Sequence, residues 1–459
     1  MNETATPIIK RGTAWLLVGI LLIFYVVSFV DRTVITIMIG PIEKDLHITD
    51  FQMSLLIGPA FGILYVLAGL FTGTLVDRFP RRLITAAGVA LWGAATSFCG
   101  LSGSFASLLL SRIGVGIGES TLTPAAHSMI GESFPRKMLA TAVSVFTTGS
   151  VLGAGIALVA GGAIINLVKS YSHISLPLIG DIRPWQLVFL IVGLVTLVVT
   201  PLIFIVPEPP RATGKAGVST GDTRVGFVPL LKRHWDLYLA LPVGFGCTNI
   251  LVQSYNAWMP TFLMRTYGLN AAQAGMALGL LTVFAGVVGQ IVSAVLTDKL
   301  YARGMGDAHV RFHLLAVTVS LPLMLIALTR ANVWEFIAAS SVFYCFTWTF
   351  VGCSGAALQL YTPSYLRGRV SALYLAIITL IGTLIGPPAT AWMTDHWFGR
   401  ARIGSSLIVM TIATLPLIWL VLLRVCKAMR VLHANPVIEI VAPDLTFTSR
   451  TGSAHNVSS

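Results

Sequence analysis

Long apolar runs dominate this chain and leave it few ways to fold. Breaking the hydropathy at clusters of charge and proline gives twelve candidate spans. Six lie near residues 13–38, 51–76, 82–101, 105–131, 138–165 and 185–206, and six near 237–264, 271–298, 311–329, 333–361, 369–394 and 404–426. A transmembrane helix needs about 20 apolar residues, so the expected fold is an all-α membrane protein with twelve transmembrane helices in two six-helix bundles. The first run is too long for a signal-peptide core and has no small-residue cleavage site, so it reads as a retained helix.

Composition agrees. Charged side chains make up 10% of the 459 residues and apolar ones 55%, against roughly 25% charged in a soluble domain. A soluble enzyme, a disordered chain and a nucleic-acid module are excluded. The net charge of +12 sits in short bursts between uncharged runs rather than on one hydrated face, as nucleic-acid binding would require. The five cysteines lie in or beside apolar runs without CxxC spacing and read as small hydrophobes.

Lys and Arg set the orientation. With the N terminus inside, 21 of the 30 fall on the inner side and seven on the outer, and Arg32 and Arg112 lie within spans. Both termini are therefore expected in the cytoplasm, of a bacterial inner-membrane protein. Residues 1–12 form a short N-terminal segment, 13–206 and 237–426 the two bundles, and 207–236 a Pro/Gly/Ser-rich basic linker. Residues 427–459 form a Ser/Thr-rich tail without helical periodicity, expected to be disordered.

An internal repeat supports the six-plus-six division. Pro135-Arg136-Lys137 leads through Ala140 to Gly149 and Gly153. Pro363 and Arg367-Gly368-Arg369 lead through Ala372 to Gly382 and Gly386. Two homologous halves around a central cavity form a transporter architecture.

Only Asp31 and Glu119 among the acids, and Arg32 and Arg112 among the bases, lie well inside spans. Each costs at least ~2.5–3.5 kcal/mol there, so by default such groups face a cavity and are functional. Asp31 and Arg112 lie at similar depth, roughly 7–9 Å outside the midplane, so they can meet. Glu119 sits near the midplane on the face of Arg112. The bland alternative is a neutral quartet that only pins span one to span four. A carboxylate raised by desolvation and lowered by a neighbouring arginine can switch protonation when that arginine moves, a workable proton-coupling device. Arg32, with its planar fork of donors, suits a phosphate or carboxylate headgroup.

Gly114, Gly116 and Gly118 form a close-packing helix face rather than a dinucleotide loop, lacking the preceding strand and the last glycine of that motif. The P-loop pattern is absent too. In the second half, Asn249, Gln253 and Asn256 form one stripe of span seven, lining a substrate path or bonding between helices. A charged wall facing a mostly apolar one makes an amphipathic cavity, suited to a lipid-like substrate.

The segment Gly73-Thr-Leu-Val-Asp77-Arg78-Phe-Pro-Arg81-Arg82 resembles the signature between helices two and three of the major facilitator superfamily. Arg112 to Gly118 resembles its helix-four signature. Within that superfamily, Phe29-Val-Asp31-Arg32 and Gly116-Ile-Gly118-Glu119-Ser120 are similar to the Spinster-like transporters of lysolipids and sphingosine-1-phosphate. The resemblance implies Asp31 as proton site, Arg32 as its partner and switch, Arg112 completing the cluster and Glu119 lining the substrate path. It also implies a cytoplasmic gate at Asp77, holding helix two against helix eleven in the outward-facing state, with Arg78 and Arg81 in the same loop and Asp298 as counterpart.

The anion:cation symporters share the helix-one Asp-Arg and a similar helix-four stretch, which implies instead the import of a small organic acid such as a sugar acid. The helix-five antiporter pattern is incomplete: Gly149, Gly153 and Gly155 are present without the Gly-Pro pair. An intramembrane lipid enzyme would need a nucleophile, base or metal constellation. His127 is a lone histidine on span four. The expectation is a monomeric, proton-coupled transporter of an amphipathic or lipid substrate, with no cofactor, no nucleic-acid partner and membrane lipid around it.

Overall fold

The computed structural model describes residues 10–168, 174–176, 180–210, 226–347, 349–363 and 366–434. The first part of the chain forms α1 (Arg11–Ile37), α2 (Ile39–Leu46), α3 (Asp50–Ile57), α4 (Pro59–Arg78), α5 (Arg81–Gly100), α6 (Phe105–Glu119), α7 (Leu122–Ser133), α8 (Arg136–Val168) and α9 (Pro184–Val199). The second part forms α10 (Phe227–Arg233), α11 (Trp235–Tyr238), α12 (Ala240–Tyr267), α13 (Ala271–Ala302) and α14 (Ala308–Leu328). It continues with α15 (Val333–Thr347), α16 (Thr349–Leu360), α17 (Arg367–Met393) and α18 (Ile403–Ala434).

Ten helices among the described residues are long and apolar enough to cross a membrane. The two expected spans missing from that set hold corresponding places in the two halves. The expected span 105–131 is divided into α6 and α7 by Ser120-Thr121. Pro124, two residues into α7, has no N–H to return to the Ser120 carbonyl. The Thr72 hydroxyl of α4 donates to that carbonyl instead, at 3.2 Å. The expected span 333–361 is described as α15 and α16 on either side of Trp348, which lies outside the described residues.

Three further departures from expectation are small. A two-stranded antiparallel hairpin pairs Ile174–Leu176 with Gly180–Ile182 between α8 and α9, so the chain is not wholly helical. The last helix runs to Ala434, past the expected start of the tail, and residues 435–459 lie outside the described set. The linker contains α10 and the start of α11, while residues 211–225 are not described.

The repeat appears as matched packing. In the first half α8 lies along α1, and a Cβ at Gly153 would collide with the Val26 carbonyl. In the second half α17 lies along α12, and a Cβ at Gly386 would meet the Ile250 carbonyl at 2.5 Å. Small residues at the same helix pair of each half let backbones approach closely, the usual basis of helix association in lipid.

The face where α1 begins is here called the near face, and the opposite one the far face. Three helices leave the far face through reciprocal caps: Thr49 with Gln52, Ser104 with Ser107 and Asn270 with Gln273. The two halves meet toward the far face. There α8 packs on α13 through Gly155, Gly162, Gly275 and Gly279, and α17 packs on α3 and α4 where Gly58 and Gly62 face Thr383.

Candidate functional site

Between the halves lies a cavity of about 330 Å³, within the ~300–1,000 Å³ typical of small-molecule sites. Its charged wall comes from α1 and α6. Successive residues on a helix point about 100° apart, so Asp31 and Arg32 on α1 serve different partners. Asp31 accepts a hydrogen bond from Arg112 Nη1 at 3.1 Å and another from the Thr96 hydroxyl of α5. Arg32 Nε donates to Glu119 Oε2 at 2.5 Å, and the same oxygen accepts from the Ser28 hydroxyl at 2.5 Å. Arg112 and Glu119 are seven residues apart, on one face of α6. The glycines between them seat α6 on α4 and α5: a Cβ at Gly116 would meet the Phe61 carbonyl and one at Gly118 the Trp92 amide.

The four buried charges therefore come together, but as two crossed pairs. The expectation that Arg32 partners Asp31 is corrected: Arg112 does. Phe61 joins the pairs, with Arg32 over its ring at 4.6 Å and Arg112 at 5.7 Å from its centroid. Phe29 and Tyr65 add further faces to Arg32, at 5.0 and 4.6 Å, each a cation–π contact. Of the four, only Arg32 keeps appreciable exposure, 22% of its side chain. It lines the cavity together with Arg112. Glu119 is fully buried behind Arg32 rather than lining the path, and its Oε1 has no hydrogen-bond partner among the described residues.

On the opposite wall Asn249, Gln253 and Asn256 of α12 all line the cavity, as the stripe implied. Asn249 is largely committed to structure, its Nδ2 donating to the Ile378 carbonyl at 2.9 Å beside Gly382. Gln253 and Asn256 are half-buried and face the cavity. Around them stand Tyr255, Tyr344, Phe350, Tyr374 and Pro387, an aromatic and apolar surface. Sequence reasoning missed Ser28, Phe61, Tyr65 and Thr96. The spacing of Phe61 and Tyr65, one turn apart on span two, was the available signal.

The expected gate residues do not form one cluster. Asp77 and Arg78 stand exposed at the near end of α4. Asp298 is 81% exposed, with His309 Nε2 at 4.0 Å. Arg81 is buried within the first half instead. It holds Glu132 at 2.5 Å, Ser128 at 3.1 Å, Glu208 through its backbone amide at 2.8 Å, and the Pro209 carbonyl. That set ties α5 to α7 and to the chain after α9.

A charge lattice between the halves lies at the far face, where the sequence reading placed only outer loops. Arg265 at the end of α12 binds Asp50 at 2.7 and 2.9 Å and Glu43 at 2.9 Å. Arg400 lies within 4 Å of both carboxylates and donates to the Ile48 carbonyl at 3.0 Å. Asp395 accepts from the Phe51 amide at 2.8 Å. Burial and the neighbouring Asp50 push the Glu43 carboxyl up to about 9, against the pull of Arg265 and Arg400.

The sequence model of the Major Facilitator Superfamily matches residues 21–387. An MFS-type efflux pump of Mycolicibacterium smegmatis is 27% identical over 411 residues, covering 87% of this chain and 90% of that protein. A hexuronate transporter of Bacillus subtilis is 25% identical over 285 residues, 61% of this chain and 63% of that protein. A bacterial homologue of the human lysosomal transporter Spinster, solved in an inward-facing and unoccupied conformation, superposes with a TM-score of 0.76 at 23% identity. That superposition covers 92% of this chain and 98% of the homologue. The chain belongs to the Major Facilitator Superfamily, and it is an integral membrane transporter rather than an enzyme.

Proposed function

We propose that the protein is a proton-coupled secondary transporter of an amphipathic anion or zwitterion, of lysolipid or sphingolipid type. Its halves, residues 13–206 and 237–426, rock about the central cavity, with both termini in the cytoplasm of a bacterial cell. The observation that carries this reading is the crossed pair of ion pairs sharing Phe61. An anionic headgroup entering the cavity competes with Glu119 for Arg32 and draws on Arg112. A proton arriving at Asp31 loosens Arg112 from α1. Each event weakens a contact between α1 and α6, so substrate and proton act on the same helix interface. The aromatic and apolar wall opposite accepts the substrate's hydrocarbon part.

The second reading is import of a small organic acid such as a sugar acid. It draws on the likeness to the hexuronate transporter and on Gln253 and Asn256 facing the cavity, which suit hydroxyl groups. Uptake into proteoliposomes under an imposed pH gradient, with lysolipids and hexuronates as competitors, tests both. Competition by lysolipids alone supports the first reading, and competition by hexuronates alone replaces it with the second. Uptake indifferent to the gradient contradicts proton coupling.

A further inference from the structure

A second cavity, of about 300 Å³, opens at the near face between α10, α11 and α18, away from the central site. Arg233, Arg424 and Lys427 line it with a single carboxylate, Asp236. Among the described residues none of these three cations makes an ion pair, whereas the next base along α18, Arg430, is bound to Asp307 at 3.0 Å. The Arg424 guanidinium lies over the exposed Trp235 ring at 5.6 Å. A basic pocket at the end of two membrane-crossing helices, edged by a tryptophan, sits where a bilayer's headgroups lie.

The surroundings distinguish a lipid from a free anion. On α18 the exposed Leu417 and Leu420 lie on the same helix stripe as Arg424, Lys427 and the exposed Val431. On the other side Trp235, Leu239 and Val243 stand exposed at intervals of four residues. Two apolar stripes thus run from the pocket toward the interior of the membrane, one on each side. Free phosphate would use the cations and leave both stripes unused. We propose that this pocket binds the headgroup of an anionic phospholipid, its phosphodiester between Arg424, Lys427 and Arg233 and its acyl chains along the α12 and α18 stripes. A lipid held there braces the α10–α11 connector against α18, where the linker joins the second half.

Native mass spectrometry of the full chain, purified in mild detergent and supplied with phosphatidylglycerol or phosphatidylcholine, tests this. R424Q/K427Q removes two of the three cations, and K299Q/R303Q removes the same charge from exposed positions elsewhere on the near face. The expected result is retention of phosphatidylglycerol over phosphatidylcholine in the wild type and in K299Q/R303Q. In R424Q/K427Q retention falls by about tenfold or more, in line with the electrostatic worth of two bases near a membrane surface. The single change Lys427→Gln gives a smaller fall and guards against loss through misfolding. Equal retention in R424Q/K427Q and K299Q/R303Q overturns the site. Displacement of the lipid by inorganic phosphate at matching concentration overturns the lipid in favour of a free-anion site.

Discussion

At the scale of single residues, each buried charge in α1 has a partner whose removal strands it. Replacing Arg112 by Ala leaves the buried Asp31 with only the Thr96 hydroxyl. Breaking a buried pair from one side costs about 3–5 kcal/mol, so Arg112→Ala is expected to lower the melting temperature of the purified protein clearly. Adding Asp31→Asn should restore much of it, since the stranded charge is gone. An equal melting temperature for single and double variants would count against the pairing. The four charges were legible in the sequence because ionised groups within apolar runs stand out chemically. The Asp31–Arg112 pair was legible too, since depth along each helix placed the two level. The Arg32–Glu119 pair was not, because which way α1 turns Arg32 depends on how the helices pack and not on depth alone.

At the scale of elements, the division of α6 from α7 rests on Pro124 and on the hydroxyl that replaces its missing donor. Thr72→Val removes the donor to the Ser120 carbonyl and should destabilise by about 1–3 kcal/mol, the cost of an unsatisfied buried acceptor. Pro124→Ala returns an intrahelical N–H to that carbonyl. Thr72→Val should therefore cost much less in a Pro124→Ala background, as read by thermal unfolding of the four proteins in a double-mutant cycle. Additive losses would contradict the account. Span positions and the α8 and α17 repeats were readable because apolar length and glycine spacing are local properties. The division of span four was not, because hydropathy is blind to a proline whose lost hydrogen bond is replaced from another helix.

At the scale of the whole molecule, the halves are joined at the far face by Glu43, Asp50, Arg265, Arg400 and Asp395, drawn from α2, α3, the end of α12 and the connection between α17 and α18. Sequence reasoning met Arg265 and Arg400 only as outer-loop bases in the count that sets topology and passed over the three acids, since nothing local shows that the loops converge. The lattice makes far-face closure sensitive to pH. Closed, Glu43 holds its proton up to about 9; opened to water, it titrates in the ordinary carboxylate range. Closing thus takes up a proton between those limits, and raising the pH through that window favours opening. Spin labels at Lys44→Cys and Arg402→Cys should show longer distances at pH 9 than at pH 6, with the change much reduced in Glu43→Gln. A distance independent of pH in the wild type would sink this assignment.

The exchange of partners around α1 is what links these scales, and Asp31 is its proton-bearing member. The most direct measurement is uptake into proteoliposomes by the wild type and by Asp31→Asn, with and without an imposed pH gradient. The expected outcome is that Asp31→Asn still exchanges substrate across the bilayer but no longer accumulates it in response to the gradient. Gradient-driven accumulation by Asp31→Asn at the wild-type rate would contradict the mechanism.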